Sequence, residues 1–182
     1  AWRDLVTTNG DQYALRGDGL IVLNGVKQWS LPVGIPWFWT QLEVIGGTMY
    51  ALREDGKLAV ASNVALSLPQ GNFFFTGLQV VDGVAYSLRS DGAIFKNNGG
   101  TPLFTFHAGD DGSANDKLWS SLKQDPTGHY LYALRTDGIL YRGRLPASTA
   151  NGELVDAFPF PGNPYTTSDL YTDFEFDDVT GT

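Results

Sequence analysis

The stretch Tyr50-Ala-Leu-Arg-Glu-Asp-Gly56 decides the fold, because the chain writes it four times. The other copies are Tyr13-Ala-Leu-Arg-Gly-Asp-Gly19, Tyr86-Ser-Leu-Arg-Ser-Asp-Gly92 and Tyr132-Ala-Leu-Arg-Thr-Asp-Gly138. Self-similarity at a period of a few tens of residues marks a repeat architecture, in which neighbouring units bury one another's apolar faces. Within each phrase Tyr and Leu fall on one face of a strand, and the small residue and Arg on the other. The closing x-Asp-Gly predicts a tight hairpin with the glycine in the left-handed region, a type I turn with a G1 bulge. A further strand follows, with Ile21, Leu58, Ile94 and Leu140 two places after the glycine.

Upstream of each phrase an aromatic is followed three residues later by an apolar residue: Trp2/Leu5, Trp39/Leu42, Phe75/Leu78, Trp119/Leu122 and Tyr171/Phe174. Alternation after these pairs predicts a strand with one buried face. Downstream, Trp29–Pro32, Leu66–Pro69, Leu103–Phe106 and Phe158–Pro161 predict an outer edge strand, a place where proline is tolerated. Four strands per unit, with no helical period anywhere, predict an all-β protein: a β-propeller of four-stranded antiparallel blades. Four repeats are complete, at about 2–38, 39–74, 75–118 and 119–170, and 171–182 supplies the first strand of a fifth. The whole chain reads as a single propeller domain or a propeller fragment. Three explanations of the surplus strand stand open. The chain is part of a longer propeller, another copy or chain completes the ring, or four blades close while the strand packs elsewhere. Phe174 and Phe176 keep a buried strand's alternation, which favours an incomplete ring.

Composition narrows the function. Of 182 residues, 42% are hydrophobic and 18% charged, as in a folded globular chain. A net charge of −8 argues against nucleic acid as a partner, because phosphate binding draws on clustered Lys and Arg. The chain has no cysteine, so disulfides and thiolate metal sites are excluded. No apolar run approaches the roughly 20 residues of a membrane-spanning helix. Catalysis finds little support: the two histidines, His107 and His129, belong to no nucleophile elbow or zinc motif. The acidic run Asp110–Asp116 and the pair Asp177-Asp178 offer oxygens for calcium, but their spacing is not that of an EF-hand, and a solvated loop is expected. No cofactor or metal is expected.

Trp-x-x-Leu followed by Tyr-Ala-Leu-Arg-x-Asp-Gly-x-Leu, in tandem over residues 2 to 178, resembles the tectonin repeat of tachylectin-2-like propellers. That resemblance implies a five- to seven-bladed lectin that binds sugars in shallow pockets repeated around the ring. This chain departs from it in having fewer full repeats and one lengthened unit, with insertions at 106–117, 144–154 and 162–169. The expected function is therefore carbohydrate binding without catalysis, by an extracellular protein that meets glycans or polysaccharide multivalently. The alternative is a protein-interaction platform belonging to a larger or multi-chain propeller. Aromatic faces that could stack on a sugar are Trp29, Trp37, Trp39, Trp119 and Tyr171, and turn carboxylates that could bind its hydroxyls are Asp55 and Asp91. The repeated Arg-x-Asp pairs also have a purely structural reading, in which Asp holds its own turn and Arg lays its stem on a neighbour.

Overall fold

The structure is a computed structural model that describes residues 1–33, 35–61, 63–68, 71–97, 99–106, 119–136, 139–145 and 158–159. It is all-β: no helix occurs among the described residues. Four small antiparallel sheets follow one another along the chain, each with its four strands paired in sequence order. The first holds β1 (Trp2–Thr8), β2 (Asp11–Arg16), β3 (Leu20–Leu23) and β4 (Val26–Ser30). The second holds β5 (Trp39–Ile45), β6 (Thr48–Arg53), β7 (Lys57–Val60) and β8 (Asn63–Ser67). The third holds β9 (Phe75–Val81), β10 (Val84–Arg89), β11 (Ala93–Lys96) and β12 (Phe104–Thr105). The fourth holds β13 (Trp119–Gln124), β14 (Tyr130–Arg135), β15 (Ile139–Arg144) and β16 (Phe158–Pro159).

Local chemistry explains these boundaries. The first strand of every sheet begins on the repeated aromatic, and the second ends on the repeated arginine. The next turn forms as its residues require: the Gly19, Gly56 and Gly92 amides each donate to the arginine carbonyl three residues back at 2.8 Å, with φ between +83° and +91°. Two-residue turns at Asn9-Gly10, Gly46-Gly47 and Asp82-Gly83 join the first and second strands, every residue at positive φ as a type I′ hairpin demands. In the first sheet the outer strand starts at Val26, earlier than Trp29, because Asn24-Gly25 forms another such turn.

The core lies in layers between consecutive sheets. Tyr13, Leu15, Ile21 and Leu31 of the first unit pack on Trp39, Leu42, Met49 and Ala51 of the second. Tyr50, Leu52, Leu58 and Leu68 meet Phe75, Leu78, Val80 and Ala85 in the same way. Tyr86, Leu88, Ile94 and Phe106 meet Trp119, Leu122, Ala133 and Tyr141. One face of each sheet thus supplies the tyrosine and leucine of the phrase, and the opposite face supplies the aromatic, the leucine and the small residue. The small residue matters because it sits opposite that leucine across the strands, as Leu42↔Ala51, Leu78↔Ser87 and Leu122↔Ala133, and lets the next sheet close in.

Backbone hydrogen bonds stitch the layers. In the first three phrases the residue between Arg and Asp donates its amide to the residue before the aromatic of its own sheet and accepts from the aromatic of the next. Glu54 does so with Phe38 at 3.0 Å and Phe75 at 2.9 Å, and Ser90 with Phe74 at 2.7 Å and Trp119 at 3.1 Å. Gly17 repeats the pattern with Ala1 and Trp39.

Candidate functional site

The three described phrase carboxylates are engaged within their own turns. Asp18, Asp55 and Asp91 each take two hydrogen bonds, at 2.8 to 2.9 Å, from the arginine two residues earlier. Each also accepts the amide two residues on. The arginines lie over rings: Arg53 over Trp39, and Arg89 over Phe73 and Phe95. The exposed Asp18 carboxyl is held down to about 2 by its bond from Arg16. Burial pushes Asp55 up, but the Arg53 guanidinium outweighs it and leaves the carboxyl below its usual value. Asp55 and Asp91 therefore present oxygens already committed to arginine.

The proposed aromatics divide. Trp39 and Trp119 are buried in the core layers, Trp39 with its Nε1 donating to the Pro32 carbonyl at 3.0 Å. Trp119 stacks on Phe106 with centroids 5.2 Å apart. Trp29 is half-buried on β4 against the first layer. Trp37 is half-buried in the loop between the first and second sheets, its ring 5.7 Å from that of Phe74. Tyr171 and both acidic runs lie outside the described residues. Among the described residues no group of three or more His, Cys, Asp or Glu side chains could hold a metal ion. No helix there is long and apolar enough to cross a membrane.

A site does form beside Trp37. A bulge follows the aromatic in every first strand, where the pairing register slips between Trp2 and Asp4, Trp39 and Gln41, and Trp119 and Ser121, and at Leu88/Arg89 opposite β9. Bulges re-aim side chains. Here they set Thr40, Thr76 and Ser120 around one cleft of about 510 Å3 where the second, third and fourth sheets meet. Gln41, together with Glu54 and Thr136 from the variable place in the phrase, adds to its polar lining, and Phe74, 45% exposed, supplies an aromatic wall. The polar groups are fixed from behind: Thr40 and Ser120 hydroxyls donate to the Leu52 and Leu134 carbonyls, and Glu54 Oε2 accepts the Phe38 amide at 3.1 Å. Phe74, Glu54, Thr40 and Thr136 are not among the residues that the sequence pattern marks as ligand-binding. Their signal was available, in that Phe74 is an apolar residue next to a core aromatic with no packing role in the repeat.

A second cavity, of about 610 Å3, runs along the first strands of the sheets. Charges of both signs line it, including Arg3, Asp4, Glu43 and Lys123. Side chains of these first strands also guard the strand edges: Asp4, in the cavity, accepts the Leu42 amide at 2.7 Å, and Gln79 of β9 the Gln124 amide at 2.9 Å. Of these two cavities, the cleft is the one that joins an exposed ring to hydroxyls and a carboxylate.

No family model matches the chain, and no curated protein matches it in sequence. Among solved structures it is similar in fold to two computationally designed proteins. Ika8 is 15% identical with a TM-score of 0.62 over 97% of this chain and 53% of its own. Ika4 is 17% identical with a TM-score of 0.58 over 79% of this chain and 91% of its own. The chain therefore spans about half the length of Ika8.

Proposed function

We propose that the chain is a non-enzymatic, lectin-like β-propeller of the tectonin type, its sheets serving as blades and its cleft holding a glycan outside the cell. The observation that carries this reading is the pairing, in one cleft, of the exposed Phe74 ring with Glu54, Thr40, Thr136 and Ser120. A pyranose offers an apolar C–H face and a rim of hydroxyls, which suits an aromatic wall beside anchored acceptors and donors. The Phe74 place holds Ala1, Phe38 and Leu118 in the other units and the Glu54 place Gly17, Ser90 and Thr136, so related weak sites at other junctions would add through multivalency. Screening immobilised glycans, followed by calorimetry on any hit, tests it. Binding that Phe74→Ala and Glu54→Gln weaken supports the proposal, and no binding to any glycan at millimolar concentration rejects it.

A second reading rests on a different observation. Val33, Ile35, Phe38, Phe73 and Phe74 are exposed on the loops 31–38 and 71–74, which meet through the Trp37–Phe74 contact. An apolar surface of that kind suits a protein partner. Capture of a protein that competing sugars do not release would favour this platform reading.

A further inference from the structure

The repeat gives the cleft a counterpart one unit earlier in the chain. Shifted by one unit, Arg3 stands in the place of Thr40, Gly17 in that of Glu54 and Phe38 in that of Phe74. At that earlier junction a cation is already seated: the Arg3 guanidinium lies 5.0 Å from the centre of the Phe38 ring. A Cβ on Gly17 would fall 3.2 Å from Arg3 Nε and 3.3 Å from Phe38 Cδ1, so this backbone position borders the pair. In the cleft the same places are filled differently. Thr40 brings no charge to the ring, and no described cation lies over Phe74, which is 45% exposed. Glu54 adds a carboxylate at the position where Gly17 borders guanidinium and ring. Its Oε2 accepts the Phe38 amide at 3.1 Å, and no described Lys or Arg pairs with it. Among the described lining residues Glu54 is the one ionisable side chain. The phrase arginines of the two sheets, Arg53 and Arg89, are each balanced by their own aspartate at 2.8 Å. One junction further on, Ser90 and Leu118 hold these places in the sequence, with neither ring nor carboxylate.

We propose that the cleft takes a protonated primary amine over the Phe74 ring and against the Glu54 carboxylate. Resting on the glycan reading above, this makes the ligand an amino sugar whose nitrogen is free and not acylated. An ammonium is drawn both to the negative face of a ring and to a carboxylate, whereas an N-acetyl group is uncharged and gains neither attraction. An external cation thus does at Phe74 what Arg3 does at Phe38 within the chain.

Calorimetry of the full chain with glucosamine disaccharide and with its N-acetylated counterpart tests the proposal. The free-amine sugar is expected to bind about tenfold more tightly, the combined scale of one cation–π contact and one exposed ion pair. Glu54→Gln keeps an acceptor for the Phe38 amide and should remove most of that preference. Thr40→Arg, which rebuilds the earlier junction, should block the amine while thermal unfolding stays near wild type. Equal or tighter binding of the N-acetylated sugar overturns the proposal and leaves the glycan reading standing. So does a preference that Glu54→Gln leaves intact, since that is general attraction to an acidic chain. Butylammonium, titrated while the Phe74 ring signals are followed by NMR, separates the two readings. A response that Glu54→Gln removes, with neither sugar bound, keeps the cation site and rejects the glycan, and no response to any of the three ligands overturns both.

Discussion

Gly92 lies flat against Trp119: a Cβ at that glycine would fall 2.6 Å from Trp119 Nε1 and 2.4 Å from the Phe106 carbonyl oxygen. Gly56 stands in the same relation to Phe75, at 2.7 Å, and Gly19 to Trp39, at 3.0 Å. The turn glycine is thus both a left-handed residue and the bed for the next sheet's aromatic. Gly92→Ala meets both objections at once, a strained φ of +88° and a backbone clash. It should cost roughly 3 kcal/mol, read as a lowered urea midpoint with little change in slope.

Thr76 points to an opposite outcome. Its Oγ1 is buried without a hydrogen-bond partner, whereas the equivalent Thr40 and Ser120 hydroxyls reach carbonyls. Replacing an orphaned hydroxyl by a methyl of the same shape removes a desolvation cost and keeps a β-branched strand residue. Thr76→Val should raise stability by about 1 kcal/mol in thermal or urea unfolding.

Acid should loosen the molecule through carboxyls held low in the folded state. Asp18 is drawn to about 2 by Arg16, and Asp55 is drawn below 3.8 by Arg53 against its burial. Asp125 is likewise lowered, burial being outweighed by the Thr127 hydroxyl and the Tyr130 amide. Because the unfolded chain binds protons more readily, this stability is complete above the unfolded value near 3.8 and is lost as pH falls through the folded values. Unfolding midpoints should drop between about pH 4 and about pH 2, and Asp55→Asn should be weaker at neutral pH with a flatter profile in that window.

Asp4 bridges two sheets, since one carboxylate oxygen accepts the Leu42 amide at 2.7 Å and the other the Leu5 amide at 2.8 Å. Asp4→Ala leaves the amide of Leu42, a buried residue, without this acceptor and should cost about 1–2 kcal/mol. Asp4→Asn, which keeps a carbonyl acceptor, should lose less in the same titration.

Phe74→Ala should reduce affinity for a bound glycan about tenfold, the scale of one lost stacking contact. Its melting temperature should change little, because the ring is 45% exposed and lies outside the three core layers.

Strand order and strand starts were legible because the repeat writes the same burial problem four times. Trp39, Leu42, Tyr50, Leu52 and Leu58 could be assigned to faces from alternation alone, and Asp-Gly announced its turn. The type I′ hairpins are spelled out as plainly in Asn9-Gly10 and Asn24-Gly25, and the second sets the start of β4 at Val26. The cleft was harder to read. A bulge displaces one residue from the alternation, so Thr40, Thr76 and Ser120 look like ordinary solvent-facing strand positions in the sequence. Ring contacts between loops, such as Trp37 with Phe74, depend on how separate units meet, and period counting carries no information about that.

The stitch between sheets uses only main-chain atoms of Gly17, Glu54 and Ser90. The side chain there adds only a local bond, Glu54 Oε2 accepting the Phe38 amide and Ser90 Oγ the Phe74 amide, so residues other than proline keep the inter-sheet bond, and this phrase position already carries four different residues, with Thr136 the fourth. Two of them, Glu54 and Thr136, border the cleft. Selection can retune recognition there, one junction at a time, while the architecture stays constant.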